Sequence, residues 1–244
     1  AHLLMAQVPR APFQASAQWL SQHAQRYPRF QREHTRIASV NGEILAALRI
    51  NTDIMRIGEA RLKVGGLGWL AHDARLPKKE CLSPLIDATT AYLQEHRYHL
   101  SVLFAPPEPY AAHGYITSLN DYTMGLRSAD IPNSPVDRKR IRPIKPGDIP
   151  ALSTIHALNY GHITCSILRE YAHLSIKWED LKHAKVFTDS QGKIEGYLLA
   201  HTQENDLHVY EIAAQDEATH GTILAYCKTL TPAHILFYIP QDHP

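Results

Sequence analysis

The chain has 244 residues, 44% hydrophobic and 20% charged, a globular composition that excludes wholesale disorder, a collagen-like repeat and a coiled coil. Its 25 Lys+Arg and 24 Asp+Glu leave a net charge of +1, without the basic footprint of a dedicated nucleic-acid binder. Cys81, Cys165 and Cys227 make no disulfide framework and share no Cys-x-x-Cys spacing, and no apolar run reaches the roughly 20 residues of a membrane span. These features point to a cytosolic protein with no membrane or nucleic-acid partner. The 16 His include the pairs His96/His99 and His156/His162, which lack Cys or carboxylate at zinc spacing, so no metal is expected.

In chain order, good helix formers fill 13–25, with Trp19, Leu20 and Ala24 on one face, and Pro28 ends the run. Residues 34–40 alternate and end at Asn41-Gly42, a hairpin signal, with 44–50 as the returning strand. Asn51-Thr52-Asp53 reads as a turn, followed by a strand pair at 54–57 and 60–70. After Asp73 the period becomes helical: Leu82, Leu85, Ile86, Thr89 and Leu93 share one face of a helix reaching about His96. Residues 101–104 form a short buried strand, ended by Pro106-Pro107. Residues 110–114 make helical turns closed by Gly114, and 122–126 is the last strand of this half.

Residues 128–140 combine Pro132, Pro135, Asn133 and Asp137 with the basic run Arg138-Lys139-Arg140. They read as a solvated linker that divides the chain into domains 1–127 and 141–244. The second half repeats the order of elements. A strand starts at 141–144, and a helix runs to about Ala157. Strands follow at 184–188 and 194–201 around the turn 189–192, then at 207–213. A helix at 216–230 and a strand at 234–239 complete it. Two copies of one α/β unit is the simplest account.

Residues 61–73 (RLKVGGLGWLAHD) and 103–115 (LFAPPEPYAAHGY), with the helix between them, resemble the GCN5-related N-acetyltransferase (GNAT) family, in its enhanced-intracellular-survival branch. In the second half, 210–218 and 239–244 are similar to that branch's non-catalytic second domain. The resemblance implies an α/β fold of tandem GNAT-like domains, each a mixed sheet flanked by helices. It also implies acetyl-CoA as co-substrate and a small-molecule or peptide amine as acceptor.

The resemblance assigns roles to particular residues. Leu70, Ala71 and His72 form the splayed strand whose backbone meets the pantetheine amides. Lys78, Lys79, Cys81, Leu82 and Ser83 stand where a helix N-terminus faces the pyrophosphate. Tyr110 is the general acid that protonates the leaving thiolate. Relatives assemble as multimers and carry a third, sterol-carrier-like domain that nothing here matches, so a fragment, a variant or a chain with further segments is expected.

One departure favours a second reading. The family's Arg/Gln-x-x-Gly-x-Gly/Ala loop is here 75–84 (RLPKKECLSP), without glycine. Glycine lets backbone N–H groups approach a pyrophosphate closely, and Glu80 adds a negative charge. That loop suits a catalytically inactive ligand-binding or assembly module. In the second half the equivalent loop, 215–221, carries Asp216 and Glu217, so that domain is expected to bind no CoA.

Overall fold

Asn41 and Gly42 lie at φ 51° and 83°, the left-handed pair that a two-residue hairpin turn requires. They join β1 (Thr35–Val40) to β2 (Glu43–Ile57). The computed structural model describes residues 1–7, 16–27, 29–106, 108–118, 123–169, 184–231 and 233–238. Residues 13–15, Pro28, Pro107, Tyr122 and 239–244, which carried sequence-based expectations, lie outside that set. The chain forms two compact units, Ala1–Leu119 and Asn120–Pro244.

In the first unit α1 (His2–Met5) and α2 (Ala17–Arg26) precede the hairpin. Ser16 caps α2, its Oγ accepting from Trp19 N–H at 3.1 Å, which satisfies one of the helix's orphan donors. β3 (Ala60–His72), α3 (Lys78–Glu95), β4 (Leu100–Val102) and α4 (Glu108–Ala111) follow. The strands run in the order β1-β2-β3-β4, antiparallel up to β3, with β4 parallel to β3.

β2 is one long strand, not two with a turn at 51–53. Its polar centre is carried because Thr52 and Asp53 find partners. The Thr52 hydroxyl bonds the Tyr98 hydroxyl at 2.7 Å, and Asp53 accepts from the Tyr27 hydroxyl at 2.7 Å. A polar residue so satisfied costs a strand little.

α3 buries Cys81, Leu82, Leu85, Ile86 and Leu93 against Ala46, Leu48 and Ile50 of β2. Each large side chain contributes roughly 1.5–3 kcal/mol by leaving water. The helix lies so close to β3 that a Cβ on Gly65 would meet Leu93 Cδ2 at 2.6 Å. On the opposite face of the sheet, Met5, Leu20, Ala47, Trp69 and Ala71 make a smaller core.

The second unit holds β5 (Met124–Arg127), β6 (Ile141–Pro143), α5 (Ile149–Tyr160), β7 (Ser166–Ile167), β8 (Lys185–Thr188), β9 (Ile194–Gln203), β10 (Asp206–Ala214), α6 (Glu217–Lys228) and β11 (His234–Phe237). Its sheet runs β5-β11-β10-β9-β8-β6. β10 and β11 are parallel, and the other neighbours in that order are antiparallel.

β5, expected to close the first half, instead pairs with β11, Leu126 opposite Ile235. Residues 128–140 fall within the same compact unit and are anchored to it at two points. Ser128 and Ile131 are buried, and Ser128 Oγ donates to the Thr231 carbonyl at 2.9 Å. Apart from these two anchors and the half-buried Val136, the segment is exposed, as its proline and charge led one to expect.

Candidate functional site

Both units contain one recurring device. An antiparallel hairpin delivers a strand, a helix follows, and the next strand returns parallel to the first. In the first unit the parallel pairing covers only Val64–Gly66 against Leu100–Val102. Among the described residues β3 then continues to His72 paired with β2 only, and its other edge is without a strand neighbour where β4 has ended. Such a gap between parallel strands, beyond their C-terminal ends, is the usual place for a ligand in an α/β sheet.

β3 bends at that opening. Ala71 pairs with Ala47 and Gly68 with Arg49, leaving Trp69 and Leu70 together opposite Leu48, a β-bulge. Trp69 takes φ 54°, a left-handed conformation that costs a bulky residue roughly 1–2 kcal/mol. Packing offsets it: the Trp69 ring is 7% exposed, set among Met5, Leu20 and Ala47 and 5.9 Å from the Trp19 ring. Asp73 N–H donates to the Leu45 carbonyl at 2.8 Å. By alternation the backbone of Ala71 also faces β2, whereas that of His72 faces the open edge. Ala71 therefore belongs to the ladder and not to the gap, a correction to its expected place. The His72 ring turns back to the Asp73 carbonyl at 3.0 Å.

The loop into α3 is tightly ion-paired. Arg75 donates to Asp73 through its backbone N–H, Nε and Nη2, and to Glu43 through Nη2 at 2.5 Å. Hydrogen bonds from Arg75 hold the Asp73 carboxyl down at about 2. The Arg75 charge is thus already compensated.

α3 starts at Lys78 with Pro77 at its N-cap and no capping side chain. The N–H groups of Glu80 and Cys81 both turn to the Pro77 carbonyl. Lys78 and Lys79 hold the first two positions, whose N–H groups have no intrahelical partner by geometry; their side chains lie outside the described set. The Cys81 and Leu82 side chains point into the core at 5% exposure. Any part they play at the terminus falls to the backbone and not to these side chains.

Ser83 and Asp87, one turn apart on α3, reach the same imidazole. Ser83 Oγ lies 3.2 Å from His113 Nε2, and Asp87 Oδ1 lies 2.6 Å from His113 Nδ1. His113 thereby ties the turn after α4 to α3. On its other side that turn is tied to β4 by the Tyr115 hydroxyl, 2.6 Å from Ser101 Oγ.

Between these ties sits Tyr110, 6% exposed, in the same cluster as Leu70, Cys81, Leu82 and Leu103. Its ring is edge-on to Tyr115 at 6.3 Å. Burial, then the neighbouring Tyr115, push its hydroxyl above the ordinary phenol value. Among the described residues that hydroxyl has no hydrogen-bond partner. Leu70 and Tyr110 thus belong to one apolar cluster, and Ser83 is linked through His113 to the turn that follows Tyr110. Sequence reasoning missed the clamp because only Ser83 and Asp87, at i and i+4, share a local signal.

The second unit repeats the opening but closes its contacts. β10 pairs with β11 only over Leu207–Val209. Gln215 N–H donates to the Glu195 carbonyl, so alternation turns the backbone of Ile212 and Ala214 to the gap. Both are engaged by side chains of α5. Asn159 donates to the Ala214 carbonyl at 2.7 Å and accepts from its N–H at 3.2 Å, and the Tyr160 hydroxyl donates to the Ile212 carbonyl at 3.0 Å. The α6 terminus is occupied too, Asp216 accepting from Thr219 N–H at 2.8 Å.

Among the described residues no cluster of His, Cys, Asp and Glu is disposed to hold a metal ion, and no helix is long and apolar enough to cross a membrane.

Residues 5–117 match the family model of the acetyltransferase (GNAT) domain. No curated protein matches the chain. A probable N-acyltransferase from Enterococcus faecalis V583, described as a conserved protein of unknown function, is 13% identical with TM-score 0.73. The alignment covers 97% of this chain and 61% of that one. Eis1 from Mycobacterium abscessus is 15% identical with TM-score 0.66, covering 100% of this chain and 63% of that one. A GCN5-related N-acetyltransferase from Kribbella flavida is 18% identical with TM-score 0.65, covering 84% and 52%. The chain therefore spans between about half and three fifths of these relatives' length, and at such identities the likeness is one of fold.

Proposed function

With its first unit an acetyltransferase (GNAT) domain, we propose that this protein moves an acetyl group from acetyl-CoA to an amine acceptor. The reading is supported by the β3 edge that runs on beyond β4, followed in the chain by a helix terminus without a side-chain cap and by the buried phenol of Tyr110. The backbone at Leu70 and His72 holds the amide-bearing arm of the donor. The first-turn N–H groups of Lys78 and Lys79 take its phosphates, with the helix dipole favouring negative charge there.

The donor supplies a thioester. The acceptor nitrogen, as free amine, forms a bond to the thioester carbon, the carbon–sulfur bond breaks, and the nitrogen gives its proton to solvent. Backbone N–H groups at the bulge stabilise the oxygen as charge builds on it. Tyr110 gives its proton to the departing thiolate. A thiol's ordinary value is about 8.5 and a phenol's about 10. Burial keeps Tyr110 protonated at neutral pH, so it is a modest donor that solvent recharges. Ser83, Asp87 and His113 act by holding the turn that carries Tyr110. The reading also takes the protein as cytosolic and self-associating.

A second reading, an inactive acetyltransferase-like binding or assembly module, is favoured by the glycine-free loop with Glu80 in the first turn of α3. Thiol release from acetyl-CoA in the presence of a panel of amines separates the two. Under the first reading Tyr110→Phe lowers turnover by about 10²–10⁴-fold and leaves acetyl-CoA affinity unchanged. Equal turnover in the variant removes Tyr110 as the acid, and no turnover with any amine selects the second reading.

A further inference from the structure

The second unit keeps the opened strand pair but has changed its chemistry. A cavity of about 790 Å³ lies where β10 runs on past β11, a volume within the range of small-molecule sites. Its walls are mainly apolar: Met124, Leu126, Leu158, Ile212, Leu224 and Phe237. Met124 and Leu158 are 54% and 57% exposed, so apolar surface is left open to water at the entrance.

Every feature that serves an anionic, amide-bearing ligand has been withdrawn. The backbone of Ala214 is saturated by Asn159, and the carbonyl of Ile212 is engaged by Tyr160. The helix terminus is filled by the Asp216 carboxylate, and Glu217 adds a second negative charge beside it. Among the described residues lining the cavity there is no Lys or Arg, and His220 is the other titratable group. A phosphate brought here meets two carboxylates at the helix end, one of them already capping the Thr219 N–H. An apolar body with a positive charge meets the opposite: apolar walls to cover and carboxylates at the rim.

We propose that this cavity is a binding site for small amphipathic cations, an aliphatic or aromatic body carrying one protonated amine. The body covers Met124, Leu158 and Leu224, and the ammonium lies against Asp216 and Glu217. The site belongs to the second unit alone and stands whether or not the first unit transfers acetyl groups.

Met5, Met55 and Met124 are the chain's three methionines, and only Met124 lines the cavity, so methyl NMR of labelled methionine reads the site with two internal controls. The whole chain is titrated with octylammonium and, separately, with octanoate, which has a tail of similar length and the opposite charge. The expected result is a saturable shift of the Met124 methyl with octylammonium, Met5 and Met55 unmoved, and octanoate at least tenfold weaker. The variant Asp216→Asn/Glu217→Gln removes both charges, and Asn remains a good N-cap, so α6 keeps its start. It weakens octylammonium about tenfold and brings octanoate level with it. An unmoved Met124 methyl overturns the proposal. So does equal binding of the two probes by the parent chain, which would mark a surface covered by an apolar partner. Unchanged octylammonium affinity in a folded double variant overturns it as well.

Discussion

Replacing Asn159 by Ala tests whether the second unit holds its own strand edge closed. The carboxamide is 2% exposed and makes three bonds: to the Ile155 carbonyl at 2.9 Å, to the Ala214 carbonyl at 2.7 Å and from the Ala214 N–H at 3.2 Å. At roughly 1 kcal/mol for each lost bond the cost is about 3 kcal/mol. That corresponds to a fall of about 6–12 °C in the melting temperature of the second unit. Asn159→Asp goes further at pH 7, because a carboxylate placed against two carbonyl oxygens repels them and has no proton to donate. Its defect shrinks as the pH falls and the acid regains its proton. Urea unfolding of both variants, followed by a probe in the second unit, is the assay. A loss under about 1 kcal/mol in Asn159→Ala would refute the claim that this side chain occupies the edge. So would Asn159→Asp no worse than Asn159→Ala at pH 7.

Two further outcomes concern charge. Arg49 is 2% exposed, donates only to the Leu20 carbonyl at 2.9 Å, and burial pulls its guanidinium down to about 10. Its Nε and Nη1 have no partner, so Arg49→Met should leave stability unchanged or raise it by about 1–3 kcal/mol. A loss above about 1 kcal/mol in urea unfolding would show a use for the charge. Asp148 accepts both arms of Arg142, at 2.7 and 2.9 Å, and the Lys145 N–H at 2.7 Å. The bonds from Arg142, more than anything else, hold its carboxyl below the usual range. A depressed carboxyl stabilises the fold above its unfolded value, about 3.9, and that stability drains as pH falls through the folded value. The urea midpoint of the second unit should therefore fall below about pH 4. Asp148→Asn should be less stable at pH 7 and lose stability less steeply with acid; identical slopes would contradict the assignment.

Local chemistry made much of the fold legible. Asn41-Gly42 announced its turn, the apolar face of α3 its burial, and the order hairpin, helix, strand its parallel return. What escaped depended on partners distant in sequence. Asn51-Thr52-Asp53 looks like a turn until Tyr98 and Tyr27 arrive to satisfy it. β5 lies next in sequence to the first unit yet finds its register beside β11, where Leu126 can be buried. The bulge fell on Trp69 and not on its glycine neighbours Gly66 and Gly68, because aromatic packing outweighed a conformational preference. Of the candidate site residues, Leu70 and His72 lie on the stretch of β3 beyond β4, and Tyr110 shares an apolar cluster with Leu70. Cys81 and Leu82 turn into the core because helical periodicity, the same signal that revealed α3, assigns them there. The plug formed by Asn159 and Tyr160 was invisible because the helix was expected to end near Ala157.

The account rests most heavily on the opening of the first unit being a donor site, and binding of acetyl-CoA to the whole chain tests that directly. At a concentration of about 100 times Kd, binding adds roughly 2.7 kcal/mol to the stability of the unit that binds, or about 5–10 °C. The account predicts a saturable rise of that size, confined to the first unit and lost when the two lysines of the α3 terminus are replaced by Glu. No rise at any concentration, or a rise seated in the second unit, would contradict it.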